Sequence, residues 1–264
     1  MMTGNVFSFF GGALKSSRSA LNQHAMRVDA ATLSTTRFFR NRAQHRRFLQ
    51  ELAGPTVLVA GVSRGCEAYS LAVEAELTGR RLCIEGIDIL GGNIRRARRK
   101  RYPHTDFVDF DGVHHLDDPA LRPFFSGATG QIRVRAERVN STISFSRSDL
   151  FDIGRPYDGI VCNNVLVHFA RQSAERALRR LVSCLKPNGV LAVGGVDIGL
   201  LAEIAPQLAL VPILDDIDAI WDGWKGDRLT YAQNPSCYVS MPPLDRSLPD
   251  WRFRFCTLFR RARG

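Results

Sequence analysis

Apolar and polar positions alternate along this chain with two different periods, and the switches between them mark its elements. From Thr36 onward Phe38, Phe39, Phe48, Leu49 and Leu52 recur at helical spacing until Pro55 stops the pattern. Val57-Leu58-Val59-Ala60 is an unbroken apolar run, as expected of a strand buried on both faces. It meets Gly61 and Gly65, and small helix-compatible residues follow to about Leu77. A second run, Leu82 to Ile89, ends in Asp88 and meets Gly91-Gly92, after which a basic helix is predicted to about Tyr102. Residues 103–142 are broken by Pro103, Gly112, Pro119, Pro123, Gly127 and Gly130, and only Gln131 to Val139 alternates like an exposed strand. Order returns with strands at Ile143 to Phe145, Tyr157 to Cys162 and Val190 to Gly194, and with a helix over Gln172 to Leu185 between the last two. Near the end, Trp251, Phe253, Phe255, Thr257 and Phe259 alternate with arginines, which predicts a half-exposed antiparallel edge strand. Alternating strands and helices imply an α/β fold, a mostly parallel sheet covered on both faces.

Composition narrows this reading. With 264 residues and 45% apolar content the chain is sized for one large domain with a real core. It has no uninterrupted apolar stretch long enough for a membrane helix, and the opening run Val6 to Leu14 lacks the preceding basic residues of a signal peptide. Six scattered cysteines without a Cys-x-x-Cys pair suit a reducing, cytoplasmic setting. The net charge of +10 is concentrated in Arg95 to Arg101, with smaller groups at Arg37 to Arg47 and Arg260 to Arg263. Such a surface attracts acidic proteins, nucleic acids or anionic lipids. No aromatic residues interleave the run as stacking platforms would, so it reads first as a solvated helix face. The acidic and histidine-containing stretch Asp109 to Asp118 matches no metal-ligand spacing, and no metal is expected.

In an open α/β sheet ligands sit beyond the carboxyl ends of the strands, where the strand order reverses. Gly61 to Gly65 after the first strand lets backbone approach a ligand. Asp88 ends the second strand, placed for the hydroxyls of a ribose. Asp149-Leu150 follows the third, a polar–apolar step suited to a purine edge, and Asn163-Asn164 follows the fourth. The glycine spacing is G-x-x-x-G, not G-x-G-x-x-G, which tilts toward a ligand without a pyrophosphate.

Five spaced segments then resemble, in order, one family. Thr36-Arg37-Phe38-Phe39-Arg40 is similar to the T-x-F-F-R opening of the chemotaxis-receptor glutamate methyltransferases of CheR type. Ser63 to Ser70 resembles that family's S-x-G-E-E-x-Y-S, and Asp88 with Ile94, Ala97 and Tyr102 resembles D-I-D-x-x-x-L-x-x-A-x-x-G-x-Y. Ile143 to Leu150 resembles V-x-F-x-x-x-N-L, and Cys162 to Phe169 resembles C-R-N-V-x-I-Y-F. The resemblance covers about residues 34–198 and implies a Rossmann-like class I methyltransferase sheet with an antiparallel C-terminal edge strand and a small inserted β-subdomain. It divides the chain into an unassigned lead, 1–35, and a methyltransferase domain, 36–264, with the insert at 103–142 and a C-terminal extension at 199–264. The lead is too short for the family's N-terminal helical domain.

Residue by residue, the resemblance implies a site for S-adenosylmethionine, with S-adenosylhomocysteine as product. Thr36 and Arg40 lie near the methyl end, and Gly61, Ser63 and Gly65 form the turn. Glu67 helps hold the amino-acid part, Asp88 with Ile89 binds the ribose, and Asp149 with Leu150 takes the adenine. Asn163 and Asn164 border the acceptor pocket, and Arg40, Asn164 and His168 are the candidate catalytic residues. The chain departs from the pattern at Cys66 for a glutamate, Asn163 for an arginine, His168 for a tyrosine and Gly195-Val196-Asp197 for histidine–serine–glutamate. The implied reaction is methyl transfer to a carboxylate on an acidic protein or a small molecule. A carboxylate is already ionised near neutrality and needs no base; a hydroxyl or amine acceptor must lose a proton, a task His168 suits. The alternatives are therefore a small-molecule O- or N-methyltransferase using His168, and a non-catalytic relative that keeps the fold to bind a partner. A nucleic-acid base acceptor is disfavoured, because Asn163-Asn164-Val165-Leu166 stands where base-methylating enzymes resemble one another in N/D-P-P-Y/F.

Overall fold

The computed structural model describes residues 36–109, 112–127, 130–224, 247 and 249–262. The lead segment 1–35, Asp111, Arg263 and much of the C-terminal extension lie outside the described residues. In chain order the first elements are helix α1 (Arg42–Glu51), strand β1 (Thr56–Ala60), helix α2 (Cys66–Leu77), strand β2 (Cys83–Asp88) and helix α3 (Gly91–Arg99). Three short strands follow, β3 (Arg101–Pro103), β4 (Phe125–Ser126) and β5 (Gln131–Val134), then β6 (Thr142–Arg147) and β7 (Tyr157–Val161). The rest comprises α4 (Arg171–Ser183), β8 (Leu185–Ala192), α5 (Ile198–Gln207), β9 (Leu210–Pro212), α6 (Ile217–Gly223), α7 (Trp251–Arg254) and β10 (Leu258–Arg261).

The expected α/β architecture is present. Seven strands form one sheet in the order β6-β2-β1-β7-β8-β10-β9. The five from β6 to β8 pair in parallel, and β10 runs antiparallel to both of its neighbours. The antiparallel C-terminal strand is thus where it was expected, except that the three-residue β9 covers its outer side. The order reverses between β1 and β7, so the crevice at their carboxyl ends is the switch point. Val57, Leu58 and Val59 are fully buried, as the unbroken apolar run requires.

Three sequence expectations need correction. The basic helix stops at Arg99, because Lys100 adopts a left-handed φ of 57°, and Tyr102 belongs to β3 instead. The alternation from Trp251 to Phe255 is a helical turn, and only Leu258–Arg261 is strand. Leu185 opens β8 rather than closing α4. The irregular stretch after α3 contains the separate antiparallel sheet β3-β5-β4.

That small sheet is held to the main body by aromatic packing. Phe38 is fully buried, stacks on Phe107 with ring centroids 4.2 Å apart, and meets Tyr102 and Phe125 edge-on at 4.8 and 5.5 Å. Beside this knot lies an ionic one. Glu74, 1% exposed on α2, accepts from the guanidinium groups of Arg42 and Arg46 on α1, and Arg42 also donates to Asp118. Asn41 caps α1 by accepting from the Gln44 backbone N–H at 2.9 Å and donates to the Ile220 carbonyl, joining α1 to α6.

Among the described residues no helix is long and apolar enough to cross a membrane.

Three histidines should make stability pH-dependent. Burial lowers the pKa of His168 and His115, and burial together with the neighbouring His104 lowers that of His114. The fold therefore prefers their neutral forms, while the unfolded chain binds protons from about pH 6.5 downward. Stability is expected to be level above that value and to fall as pH drops through it. Thermal unfolding midpoints at about pH 8 and about pH 5.5 check the sign. The raised carboxyls of Asp88 and Asp106 act oppositely, gaining stability as they take up protons at lower pH.

Candidate functional site

The loop from β1 to α2 is shaped by three left-handed residues, Gly61 (φ 68°), Ser63 (φ 50°) and Gly65 (φ 91°). A Cβ on Gly65 would come within 2.9 Å of the Ala97 Cβ and 3.2 Å of the Phe145 ring, so α3 and β6 leave no room for one. At Gly61 the obstruction is the Val165 side chain, from the loop after β7. Gly61→Ala therefore adds left-handed strain to a clash. It is expected to destabilise by about 2–4 kcal/mol, measurable by urea denaturation.

Asp88 closes β2 and fastens this turn. Its Oδ2 accepts from the Ser63 backbone N–H at 2.8 Å, and its Oδ1 accepts from the Leu90 N–H at 2.8 Å. The Asn93 amide lies 3.4 Å from both oxygens. The side chain is 8% exposed, and burial pushes its carboxyl pKa up against those hydrogen bonds. Each oxygen accepts one close backbone bond and keeps capacity for another donor.

A second polar group gathers at the carboxyl end of β7. Asn163 donates to Glu67 Oε1 at 2.6 Å and to Gln44 Oε1 at 2.8 Å, and Gln44 donates to the Thr257 hydroxyl at 2.9 Å. The His45 imidazole lies 3.3 Å from the same Glu67 oxygen. Gln44 and His45 are 0% and 3% exposed, polar residues on the otherwise apolar face of α1. Sequence reading missed both. Their signal was a polar pair in register with Phe48 and Leu49, but their partners lie as far as 213 residues away. Asn164 has φ 55° and donates its backbone N–H to the Gly194 carbonyl.

The structure brings most of the expected residues to one end of the sheet. Asp149 follows β6, and its side chain accepts from the Phe151 N–H at 3.0 Å, with Leu150 buried next to it. Thr36 meets the turn through its carbonyl, which accepts from Arg64 at 3.2 Å. Arg40 is close enough for its charge to act on Cys66 at the start of α2. Ile89 follows Asp88, and its carbonyl accepts from Arg147. His168 is half-buried in the turn after Asn164, with its pKa lowered by burial. Cys66 is fully buried and its thiol is pushed far up by burial, the opposite of an activated nucleophile. Among the described residues no group of three or more His, Cys, Asp or Glu is arranged to hold a metal.

Three buried polar atoms at these strand ends have no hydrogen-bond partner among the described residues: Ser63 Oγ, Asn163 Oδ1 and Asn164 Nδ2. Buried polar atoms are nearly always satisfied, so their clustering here marks a place for a polar ligand. Hydroxyl and amide groups beside the Asp88 and Glu67 carboxylates suit the ribose hydroxyls and ammonium of S-adenosylmethionine.

Comparison with known proteins agrees. The model of the CheR methyltransferase, SAM binding domain matches residues 34–198. The chemotaxis protein methyltransferase of Salmonella typhimurium is 32% identical over 184 residues, 63% of this chain and 61% of that protein. Its Escherichia coli counterpart is 30% identical over 194 residues, 66% of this chain and 65% of that protein. The match thus spans less than two thirds of these relatives' length. Among solved structures, magnesium protoporphyrin IX methyltransferase from Synechocystis, with bound S-adenosylmethionine, aligns over 65% of this chain and 72% of its own. That alignment has 16% identity and a TM-score of 0.39. A sheet with its switch point at β1 and β7, a glycine turn fastened by Asp88 and a family match over residues 34–198 lead to one assignment: this chain belongs to the CheR-type methyltransferases, through their S-adenosylmethionine-binding domain.

Proposed function

We propose that this protein transfers a methyl group from S-adenosylmethionine to a carboxylate, a protein glutamate or a similar acid, and releases S-adenosylhomocysteine. The domain that does so is residues 36–264, with residues 103–142 as an inserted small subdomain and 199–264 completing the sheet. The observation that carries the reading is the pair of 2.8 Å bonds from Ser63 and Leu90 to Asp88, which hold one carboxylate at the switch point with both oxygens available to a ribose. The bound cofactor supplies an electrophilic methyl on a sulfonium.

The chain's own residues align and shelter. In this reading Gly61, Ser63 and Gly65 bring backbone against the cofactor, and Asp88 with Ile89 orients the ribose. Asp149 accepts from the adenine amine while Leu150 covers the ring. Glu67, held by Asn163 and His45, takes the ammonium of the methionine part. Thr36, Arg40 and Asn164 border the methyl end, and Arg40 orients the acceptor carboxylate by paired hydrogen bonds. An ionised carboxylate is its own nucleophile, so the work is alignment and exclusion of water. The acidic partner implied by a basic chain fits this acceptor. The described cysteines are all free, which supports a reducing compartment, the cytoplasm.

A second reading is supported by His168. Burial keeps its imidazole neutral at neutral pH, so it is able to accept a proton from a small-molecule hydroxyl or amine. The lability of the product separates the two. The protein is incubated with methyl-labelled cofactor and either an acidic protein fraction or small acids, and the product is then treated with mild base. Volatile labelled methanol is expected, because methyl esters hydrolyse under those conditions. A base-stable product that disappears with His168→Ala would favour the second reading. Cofactor binding with no labelled product from any acceptor would leave a binding protein.

A further inference from the structure

The basic run faces solvent, and part of it also lines a concavity. Arg96 and Arg99 on α3, Arg101 on β3 and Arg64 from the cofactor turn converge on a cavity of about 600 Å³, walled also by Tyr102, Pro103 and Gln131. That volume is in the range of sites for single small molecules. Arg96, Arg99 and Arg101 pair with no carboxylate among the described residues. Arg64 donates to Asp106 Oδ1 at 3.0 Å, yet its Nε is buried and without a hydrogen-bond partner there. Tyr102 fixes the floor by donating its hydroxyl to the Arg64 carbonyl at 2.7 Å.

Like charges gathered around one concavity raise the local concentration of anions. Three unpaired guanidinium groups raise each other's energy, and the carboxyl-terminal end of α3 offsets roughly half a charge at most. We propose that this cavity binds a small anion carrying two or more phosphate groups, at a site separate from that of the methyl donor. Planar guanidinium forks match phosphate oxygens in paired hydrogen bonds, and several converging forks select a compact multiple anion over a single charge. An extended acidic peptide fits less well. It would add to the edge strand β3, where Pro103 has no N–H to give to a new ladder. The volume, in turn, suits a single small molecule, and the run from Arg95 to Arg101 carries no aromatic residues on which nucleic-acid bases would stack.

The test is calorimetric titration of the full chain with inorganic tripolyphosphate and, separately, with guanosine triphosphate, both in the presence of saturating S-adenosylhomocysteine. Tripolyphosphate shares no part of the cofactor, and the saturating S-adenosylhomocysteine keeps the purine and ribose of guanosine triphosphate out of the cofactor site. Binding with Kd of about 10–100 μM at low salt is expected, weakened at least about tenfold by Arg99→Ser combined with Arg101→Ser. S-adenosylhomocysteine affinity and the thermal transition should be unchanged in that variant, which shows that it is folded. If it does not fold, Arg96→Ser alone carries the comparison. Equal affinity for both probes identifies phosphate groups as the ligand chemistry, and tighter binding of guanosine triphosphate identifies a nucleotide. Absence of binding, binding that the substitutions leave intact, or displacement of tripolyphosphate by a tighter-binding acidic peptide or duplex DNA overturns the proposal.

Discussion

Asp88→Ala should weaken binding of S-adenosylhomocysteine about 10- to 100-fold, as the loss of charged hydrogen bonds worth about 1.5–3 kcal/mol implies. The carboxylate has two tasks. It accepts from the Ser63 and Leu90 backbone N–H groups, and its oxygens keep acceptor capacity for the ribose in the proposed reading. Alanine removes both, and each buried N–H left without an acceptor costs about 1–3 kcal/mol. The variant is therefore expected to lose stability as well as affinity, and urea denaturation must accompany the calorimetry. Asp88→Asn separates the effects: its amide has one acceptor oxygen, so one backbone donor keeps its partner while the other meets an N–H₂ group. Stability should lie between wild type and alanine, while affinity should fall nearly as far as in alanine. Acidification gives an independent check. Burial raises the Asp88 pKa, so affinity should decline with falling pH while an ordinary aspartate is still ionised. A folded alanine variant that binds with unchanged affinity would remove Asp88 from the site.

Much of this arrangement was legible because buried parallel strands announce themselves. Val57 to Ala60 and Ile160 to Cys162 are apolar runs with a glycine or asparagine at the end, and a ligand site lies beyond such ends by topology. The resemblance at Thr36 to Arg40, Ser63 to Ser70 and Cys162 to Phe169 then supplied the cofactor. The illegible parts share a physical cause. Strands of two to four residues, such as β4 and β9, are too short for a period to show. Lys100 ends α3 by backbone conformation alone, in a run of arginines that offers no glycine or proline to signal it. Trp251 to Phe255 alternates like a strand, but one helical turn accommodates the first four of these residues. The Gln44–Asn163–Glu67 network joins α1, the β7 loop and α2 across 119 and 96 residues, distances that no local pattern encodes. The arginine run is solvent-exposed, as its sequence suggests, but only the fold brings Arg64 beside it and lets Arg98 donate to the Phe145 carbonyl at 2.5 Å.

The second large effect concerns a motif residue that does no chemistry. Phe38 belongs to the T-x-F-F-R segment by which the family is recognised, yet it is fully buried among Phe39, Tyr102, Phe107 and Phe125. Its backbone N–H donates to the Asp106 carbonyl at 2.8 Å, so ring and backbone both tie the segment before α1 to the stretch following β3. Phe38→Ala should destabilise by about 3–5 kcal/mol, since the surrounding rings belong to three different elements and cannot collapse into the space together. For a domain of this size that corresponds to a fall in Tm of roughly 10 °C. Phe38→Leu keeps most of the volume and is expected to recover more than half of the loss. The consequence for the site is indirect. Asp106 also binds Arg64, whose carbonyl receives the Tyr102 hydroxyl, so loosening the knot loosens the flank of the cofactor turn. At a temperature where the alanine variant is still folded, S-adenosylhomocysteine should bind more weakly, by less than the effect of Asp88→Ala. A variant that lost affinity as severely as Asp88→Ala while keeping wild-type Tm would place Phe38 against the ligand and contradict this account. Loss of Tm with affinity nearly intact is the pattern of a residue that holds the site's frame.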